Sequence, residues 1–478
     1  MEISVTKRIA KNFSWLTLGE ILSRGLNLFA VIYIARILGA ATFGLLNIAQ
    51  AFLVYLVILV DSGLSILGTR EIAKEKAKAG GISLNIFVIR FVIALIIYFV
   101  SFIILLILPL TIEMRLLFMA TFLFVFYRAV NTDWVFQGLE RMDQIALSKI
   151  LFSTLAFILT LLLVKTNNDL LRVPFIQFAS GIIASIIFIY ILFKYYVKAT
   201  CAHLMPANWW DYFSEAIPLG AYVILIQIYY NLDTIMLGFM DKPEVVGYYN
   251  AAYKVLYVFL GFLGLWYVTS FPVVSRRWEE NQKKTIEYLV KLSRLTFLVV
   301  IPIVILVNFY SLPLIKLLFG IGYITASSAM QILIWNTVLV AVSSFYGALI
   351  LIPQKKSKEL LFSVGTGAIV NIVLNLILIP TFSFNGAAVA TLIAEAAAAL
   401  MMYYFTPSGV RINMLNSARV PIIASILAFP LLLFMSWGPE YFRVISGSFI
   451  YIIAYLVLIL MFGERRNFKE YLTEVFRK

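Results

Sequence analysis

Amide, hydroxyl and charged side chains recur at helical spacing inside long apolar runs. Glu20, Ser23, Arg24 and Asn27 share one helical face, and Gln227, Tyr230, Asn231 and Thr234 share another with Asp233 beside it. Asn250, Tyr253, Lys254 and Tyr257 form a third stripe, and Asn47 with Gln50 a weaker fourth. Polar groups at bilayer depth are costly and turn toward a bundle interior or a wet cavity, so each stripe is a candidate cavity lining. The chemistry they offer is recognition. Amides and tyrosine hydroxyls suit hydrogen bonding to sugars, and Arg24 and Lys254 suit a phosphate group. Plainer roles compete: an i, i+4 ion pair of Arg24 with Glu20, and pairing of Lys254 with Asp233 or snorkelling toward the outer surface.

Glu395 falls near the middle of an apolar run, one turn after Thr391, with Asn371 and Asn375 available on the preceding run. It is either a proton or cation relay or a protonated, hydrogen-bonded packing residue. Asp233 and Glu395 are the candidates for coupling to an H+ or Na+ gradient. Asp61, Arg90, Arg128 and Asp133 sit nearer the predicted cytoplasmic ends of their runs, where snorkelling is cheap, and are expected to be structural.

No catalytic arrangement accompanies these stripes. A Walker A pattern is absent, which argues against ATP-driven pumping by this chain. The single cysteine, Cys201, rules out an intrachain disulfide, and the single histidine, His203, leaves no His/Cys pattern for a metal. No cofactor is expected. The loops are too short for a soluble catalytic domain.

The elements that must position the stripes follow from composition. Hydrophobic residues make up 62% of the chain and charged residues only 13%, with a mean hydropathy of +0.96. Apolar runs of about 20 residues recur, the length that crosses a bilayer. The expected fold is an all-α polytopic membrane protein of about 14 transmembrane helices. The windows are 12–35, 44–67, 84–108, 115–136, 146–164, 173–193, 215–240, 246–270, 293–312, 327–352, 360–380, 385–405, 420–437 and 444–462. Pro109, Pro174, Pro313 and Pro380 fall near their ends. The first run reads as a retained span rather than a cleaved signal.

The net charge of +14 is an orientation signal rather than a nucleic-acid footprint. With the N-terminus inside, about 27 Lys and Arg fall in cytoplasmic loops and tails and about 7 outside. Both termini are then expected in the cytoplasm, with the chain in the cell membrane.

Two stretches repeat. "IARILGAATFGLLNIAQAF" begins at Ile34, and "LGFMDKPEVVGYYNAAYKV" begins at Leu237. Shifting by 203 residues sets Gly44 on Gly247, Asn47 on Asn250 and Ala49 on Ala252, a G-x-x-N-x-A motif in both copies. Each copy is expected to form the first outer hairpin of a six-span block. The even number of spans between them predicts parallel repeats related by an axis along the membrane normal. The blocks are 1–200 and 201–410: two pseudo-symmetric six-helix lobes around a central cavity. Residues 411–478 add a helix pair, either packed on one lobe or helping to hold a lipid tail, and a basic tail.

Taken together, "ARILGAATFG", "TREIAK" (Thr69 to Lys74), "WVFQGLERM" (Trp134 to Met142), "NLDTIMLG" (Asn231 to Gly238), "VGYYNAAYKV" and "GAAVAT" (Gly386 to Thr391) after "NIVLNLILIP" span the chain in order. In these stretches the chain resembles polysaccharide transporters of the multidrug/oligosaccharidyl-lipid/polysaccharide flippase superfamily, especially the O-antigen (Wzx-type) flippases. The resemblance implies lobes enclosing a cavity that opens alternately inward and outward. It further implies transfer of a polyprenyl-(pyro)phosphate-linked oligosaccharide from the cytoplasmic to the outer leaflet for glycan biosynthesis. The partners would be the lipid-linked glycan, the bilayer and glycan polymerase or ligase machinery. A cation-coupled drug or metabolite exporter and a lipid-II-type flippase of the same superfamily are the alternatives. A membrane-embedded polymerase or ligase would instead carry a large outer loop of clustered Arg, His or acids.

Overall fold

The structure, a computed structural model, describes residues 5–198, 204, 209–434 and 439–462, with side chains at 5–13, 218–230 and 440 left out. Within these residues all regular structure is helical. The chain divides into two compact units, Met1–Gly247 and Tyr248–Lys478.

The first unit holds α1 (Val5–Asp61), α2 (Leu64–Lys74), α3 (Ala79–Ile107), α4 (Ile112–Phe122), α5 (Phe124–Val130), α6 (Asp133–Gly138), α7 (Met142–Leu163), α8 (Arg172–Ile191) and α9 (Trp209–Met240). After α10 (Pro243–Glu280), which starts at the unit boundary, come α11 (Gln282–Phe309), α12 (Ser311–Phe319), α13 (Ala326–Leu333), α14 (Asn336–Tyr346), α15 (Ser357–Phe405), α16 (Met414–Ala428), α17 (Pro430–Phe434) and α18 (Glu440–Met461). Ten helical stretches among the described residues are long and apolar enough to cross a membrane.

Some predicted spans share one continuous stretch. Windows 12–35 and 44–67 both fall mostly in α1, which runs through a single non-helical residue, Gly39 (φ 74°, ψ 168°). Glycine adopts a positive φ at little steric cost, so one residue suffices for the break. Windows 360–380 and 385–405 fall in α15, broken at Ser383 (φ 52°, ψ −137°) three residues after Pro380. Window 115–136 is spread over α4, α5 and α6, none of them span-length. Pro174 and Pro313 stand in the first turns of α8 and α12, where a missing amide costs least.

The two copies of the repeat meet in the first unit. A Cβ on Gly44 would lie 1.7 Å from the Pro243 carbonyl oxygen, and one on Gly247 would lie 2.1 Å from that of Ala40. Each glycine stands about one turn beyond the start of a helical segment, after Gly39 in one copy and after Pro243 in the other. The two copies therefore approach at backbone contact at these glycines, which any side chain would block.

Two of the quoted motifs also dock on each other. Thr69 of "TREIAK" donates to the Trp134 carbonyl of "WVFQGLERM" at 2.9 Å. Leu67, Ile72, Trp134 and Phe136 join one buried cluster with Ile86 and Phe188. At the C-terminal end, Tyr451, Tyr455 and Ala424 pack around Tyr310. Tyr455 donates to the Leu298 carbonyl at 2.9 Å, and Ser293 and Ser417 hydroxyls lie 2.7 Å apart. The final helices thus pack on α11 and α12.

Candidate functional site

Ion pairs inside helices of span length stand out in the first unit. Gly19 sits so close to α7 that a Cβ there would be 2.6 Å from the Ala146 Cβ. That tight crossing brings Glu20, the next residue, beside Lys149, one turn further along α7. Lys149 Nζ lies 2.8 Å from Glu20 Oε2, while Arg24 Nε donates to Glu20 Oε1 at 2.7 Å. One carboxylate therefore serves two cations.

The network continues inward. Asp133 lies near enough to feel the charges of both Lys149 and Arg128. Arg90 donates to the Arg128 backbone carbonyl and stands 3.3 Å from Asp61 Oδ1. Arg90 is 2% exposed, and its Nε and Nη1 have no hydrogen-bond partner among the described residues. It does not snorkel as its sequence position suggested, because α3 and α5 enclose it and Asp61 and a backbone carbonyl hold it. The chain of groups comprises the bases Arg24, Lys149, Arg128 and Arg90 and the acids Glu20, Asp133 and Asp61. At its Glu20 end one carboxylate faces two cations, leaving a positive charge there unmatched. Each ionised side chain at mid-bilayer costs about 2.5–3.5 kcal/mol on insertion scales, so an unmatched one calls for an anion or water.

The geometry of α1 indicates where that charge faces. Leu18, Leu22 and Phe29 are more than half exposed on one side of the helix. Arg24, with 58% of its side chain exposed, and Asn27 lie on the opposite side with Glu20. An apolar face suits lipid, so the exposed polar face suits an aqueous concavity. Sequence spacing put Arg24 and Asn27 on one face and offered the Arg24–Glu20 pair that is present, but it passed over Lys149. Its signal was a lone lysine near the start of the 146–164 window, indistinguishable by spacing from a snorkelling residue.

The other candidates are dispersed. Asn47 is buried and donates to the Phe43 carbonyl of its own helix at 2.7 Å. Gln50 donates to Gln177 at 3.4 Å. Gln227 lies in α9 where side chains fall outside the described residues, Asn231 is half-buried, and Asp233 is buried.

In the second unit, α10 carries a tyrosine ladder. Tyr249 and Tyr253 stack with centroids 5.6 Å apart, and Tyr257 meets Tyr253 edge-on at 4.8 Å. Tyr249 shares a 3.2 Å hydroxyl contact with Thr391 and is buried, whereas Tyr257 is 40% exposed. Asn250 is buried on the same face. Lys254 is half-buried, and within its own unit it makes no hydrogen bond or ion pair among the described residues. Glu395 is buried and accepts a hydrogen bond from Ser343, a partner the spacing did not suggest. Asn375 donates to Asn371 at 3.1 Å. Among the described residues no cluster of His, Cys, Asp and Glu is arranged to hold a metal.

Long apolar helices broken at Gly39 and Ser383, with charge held inside them, describe a polytopic membrane transporter. A model of the family described as polysaccharide biosynthesis protein matches residues 9–278, more than half of the chain, and the chain belongs to that family. It is 25% identical over 380 residues to the "Putative O-antigen transporter" of Escherichia coli (strain K12), covering 78% of this chain and 90% of that one. Its fold matches that of a lipid II flippase, MurJ, in an inward closed conformation. The TM-score is 0.76 at 17% identity, over 94% of this chain and 98% of the other. It also matches an inward-facing multidrug resistance MATE family transporter of the MOP superfamily. There the TM-score is 0.67 at 16% identity, over 84% and 99% of the two chains.

Proposed function

We propose that this chain is a flippase that carries a polyprenyl-(pyro)phosphate-linked oligosaccharide from the cytoplasmic to the outer leaflet by alternating access. The observation that carries the reading is the unmatched positive charge at Arg24, Lys149 and Glu20, on a polar helix face opposite a lipid-suited one. A phosphate-bearing head group supplies the missing anion. The tyrosine ladder and Asn250 of α10 suit the sugars, with Lys254 as a further cation beside them. The lipid tail stays in the bilayer, so only the head group must exchange its water for protein groups.

The O-antigen and polysaccharide names of the family and of the Escherichia coli relative support this substrate class. Cation-coupled drug export is the weaker reading, because the acids of the first unit are outnumbered by the bases around them. The architecture proposed is 14 spans, with both termini cytoplasmic in the cell membrane. α1 and α15 each cross twice, α4 to α6 together make one crossing, and α9 makes another. Residues 1–200 and 201–410 form the two lobes around the cavity, with 411–478 outside them and glycan polymerase or ligase machinery taking the product.

Purified protein in proteoliposomes, with a fluorescent polyprenyl-pyrophosphate-linked oligosaccharide, tests this. The wild type should expose the glycan to an external quencher. Arg24→Ala should reduce the rate at least tenfold and Lys254→Ala several-fold, each tenfold step corresponding to about 1.4 kcal/mol. Wild-type protein that moves a cationic drug but not the glycan would overturn the reading.

A further inference from the structure

We infer that Glu20 is an internal stand-in for the substrate's phosphate, and that Lys149 is the second cation the phosphate takes. This rests on the flippase reading and assigns the head-group site within it. Glu20 divides its two oxygens between partners, Oε1 to Arg24 Nε at 2.7 Å and Oε2 to Lys149 Nζ at 2.8 Å. A carboxylate and a phosphate offer the same kind of two-oxygen acceptor, so the geometry that holds one fits the other.

The three groups are neither buried nor loose. Their side chains are 58%, 22% and 36% exposed for Arg24, Glu20 and Lys149, inside helices of span length. Arg24's terminal amino groups make no hydrogen bond among the described residues. One carboxylate against two cations leaves room for one more negative charge. A phosphate arriving at Arg24 competes with Glu20 and, once bound, bridges to Lys149. On release, Glu20 reclaims both cations, so neither is left bare in the membrane. A carboxylate that weakens binding while restoring the empty site is an exchange device, and it separates affinity from turnover.

The test uses full-length protein in phosphatidylcholine nanodiscs, titrated with a polyprenyl pyrophosphate that carries no sugar. Glu20→Gln removes the competitor and should tighten binding about three- to tenfold while slowing translocation. Lys149→Gln should weaken binding about tenfold, the worth of one hydrogen bond to a charged group, and Lys149→Arg should stay near wild type. Glu20→Gln binding that is unchanged or weaker marks the ion pair as structural and overturns the inference. If Glu20→Gln fails to insert, the lysine pair decides alone, and equal binding by Lys149→Gln and wild type overturns it. Equal displacement of the probe by phosphatidylglycerol would mean a site for any anionic phospholipid, which also overturns it. Failure of wild-type protein to bind the probe at all is a different result and sinks the flippase reading instead.

Discussion

In the first unit, Glu20, Arg24, Asp61, Arg90, Arg128, Asp133 and Lys149 are linked through α1, α3, α5, α6 and α7 by ion pairs, a backbone hydrogen bond and close charge proximity. In the second unit, the polar side chains of α10, α14 and α15 pair mostly as neutral groups: Tyr249 with Thr391, Asn375 with Asn371, and Ser343 on Glu395. The repeated G-x-x-N-x-A motif is common to the two halves of the sequence, yet the chemistry mounted around it differs. On the proposed flippase reading, the first half would hold the charged end of the head group and the second would hydrogen-bond and stack on its sugars.

The largest effect should come from breaking the buried end of the charged network. Asp61→Asn removes the carboxylate nearest the Arg90 guanidinium and leaves it the Arg128 carbonyl and the more distant charge of Asp133, in a site where Arg90 is 2% exposed. Removing one partner of a buried pair costs about 3–5 kcal/mol, and the quarter-exposed Asp61 argues for the lower end. Purified Asp61→Asn should therefore unfold at a markedly lower temperature in detergent. The double variant Asp61→Leu with Arg90→Met should recover part of the loss, since apolar replacements of a buried pair are often tolerated. If single and double variants lose stability alike, the pair is not coupled, and the contrast between the units is one of composition only.

A smaller effect sharpens the other side of the comparison. Glu395 is proposed to couple transport to a proton or sodium gradient, with Asp233 as the second candidate. Both are buried, and Glu395 keeps a hydroxyl partner that a glutamine can also accept from. Glu395→Gln and Asp233→Asn should fold and retain gradient-independent exchange, while the acceleration by an imposed gradient falls several-fold. Full gradient dependence in both variants would remove these carboxyls from the coupling and leave Glu395 as a packing residue.

Most of the fold was legible because a bilayer enforces it. Runs of span length and the distribution of Lys and Arg leave few alternatives to a helical membrane protein. The breaks were less legible. A single glycine, Gly39, breaks α1 inside the gap between the windows 12–35 and 44–67, where the spacing placed a short hairpin rather than one residue. The break at Ser383 falls in the gap between the windows 360–380 and 385–405 that Pro380 marked, but Ser383 itself is not a residue type that favours a positive φ, so its exact place was not readable. Of the candidate site, the α1 stripe was readable because its residues are neighbours on one helix. Lys149 was not, because its meaning depends on Gly19 meeting Ala146 across two helices that are distant in sequence. The glycines of the repeat were readable as a pattern but not as a crossing, since a motif does not say that it touches its own copy.

The smallest expected effect tests the contrast at the connections between helices. In the first unit, the carboxylate of Asp169, between α7 and α8, accepts from the backbone amides of Lys165 and Thr166 at 2.8 and 2.9 Å. It also accepts from the Thr166 hydroxyl at 3.1 Å and pairs with Arg172 at 3.0 Å. The Lys165 and Thr166 amides, with the hydroxyl and the arginine, hold its carboxyl below the usual aspartate range. In the second unit, near the Ser383 break, Ser328 donates to the Asn385 amide oxygen at 2.9 Å, a neutral bond. A depressed carboxyl stabilises the fold fully above its unfolded value of about 3.9 and loses that contribution as the pH falls through its lower folded value. Amide hydrogen exchange over 165–172 should therefore quicken below that range, after correction for the intrinsic pH dependence, while exchange around 383–388 should not. Asp169→Asn should make the first segment as insensitive to acid as the second. Acid-induced opening that persists in Asp169→Asn would assign the effect to another group and erase the charged-against-neutral distinction at these connections.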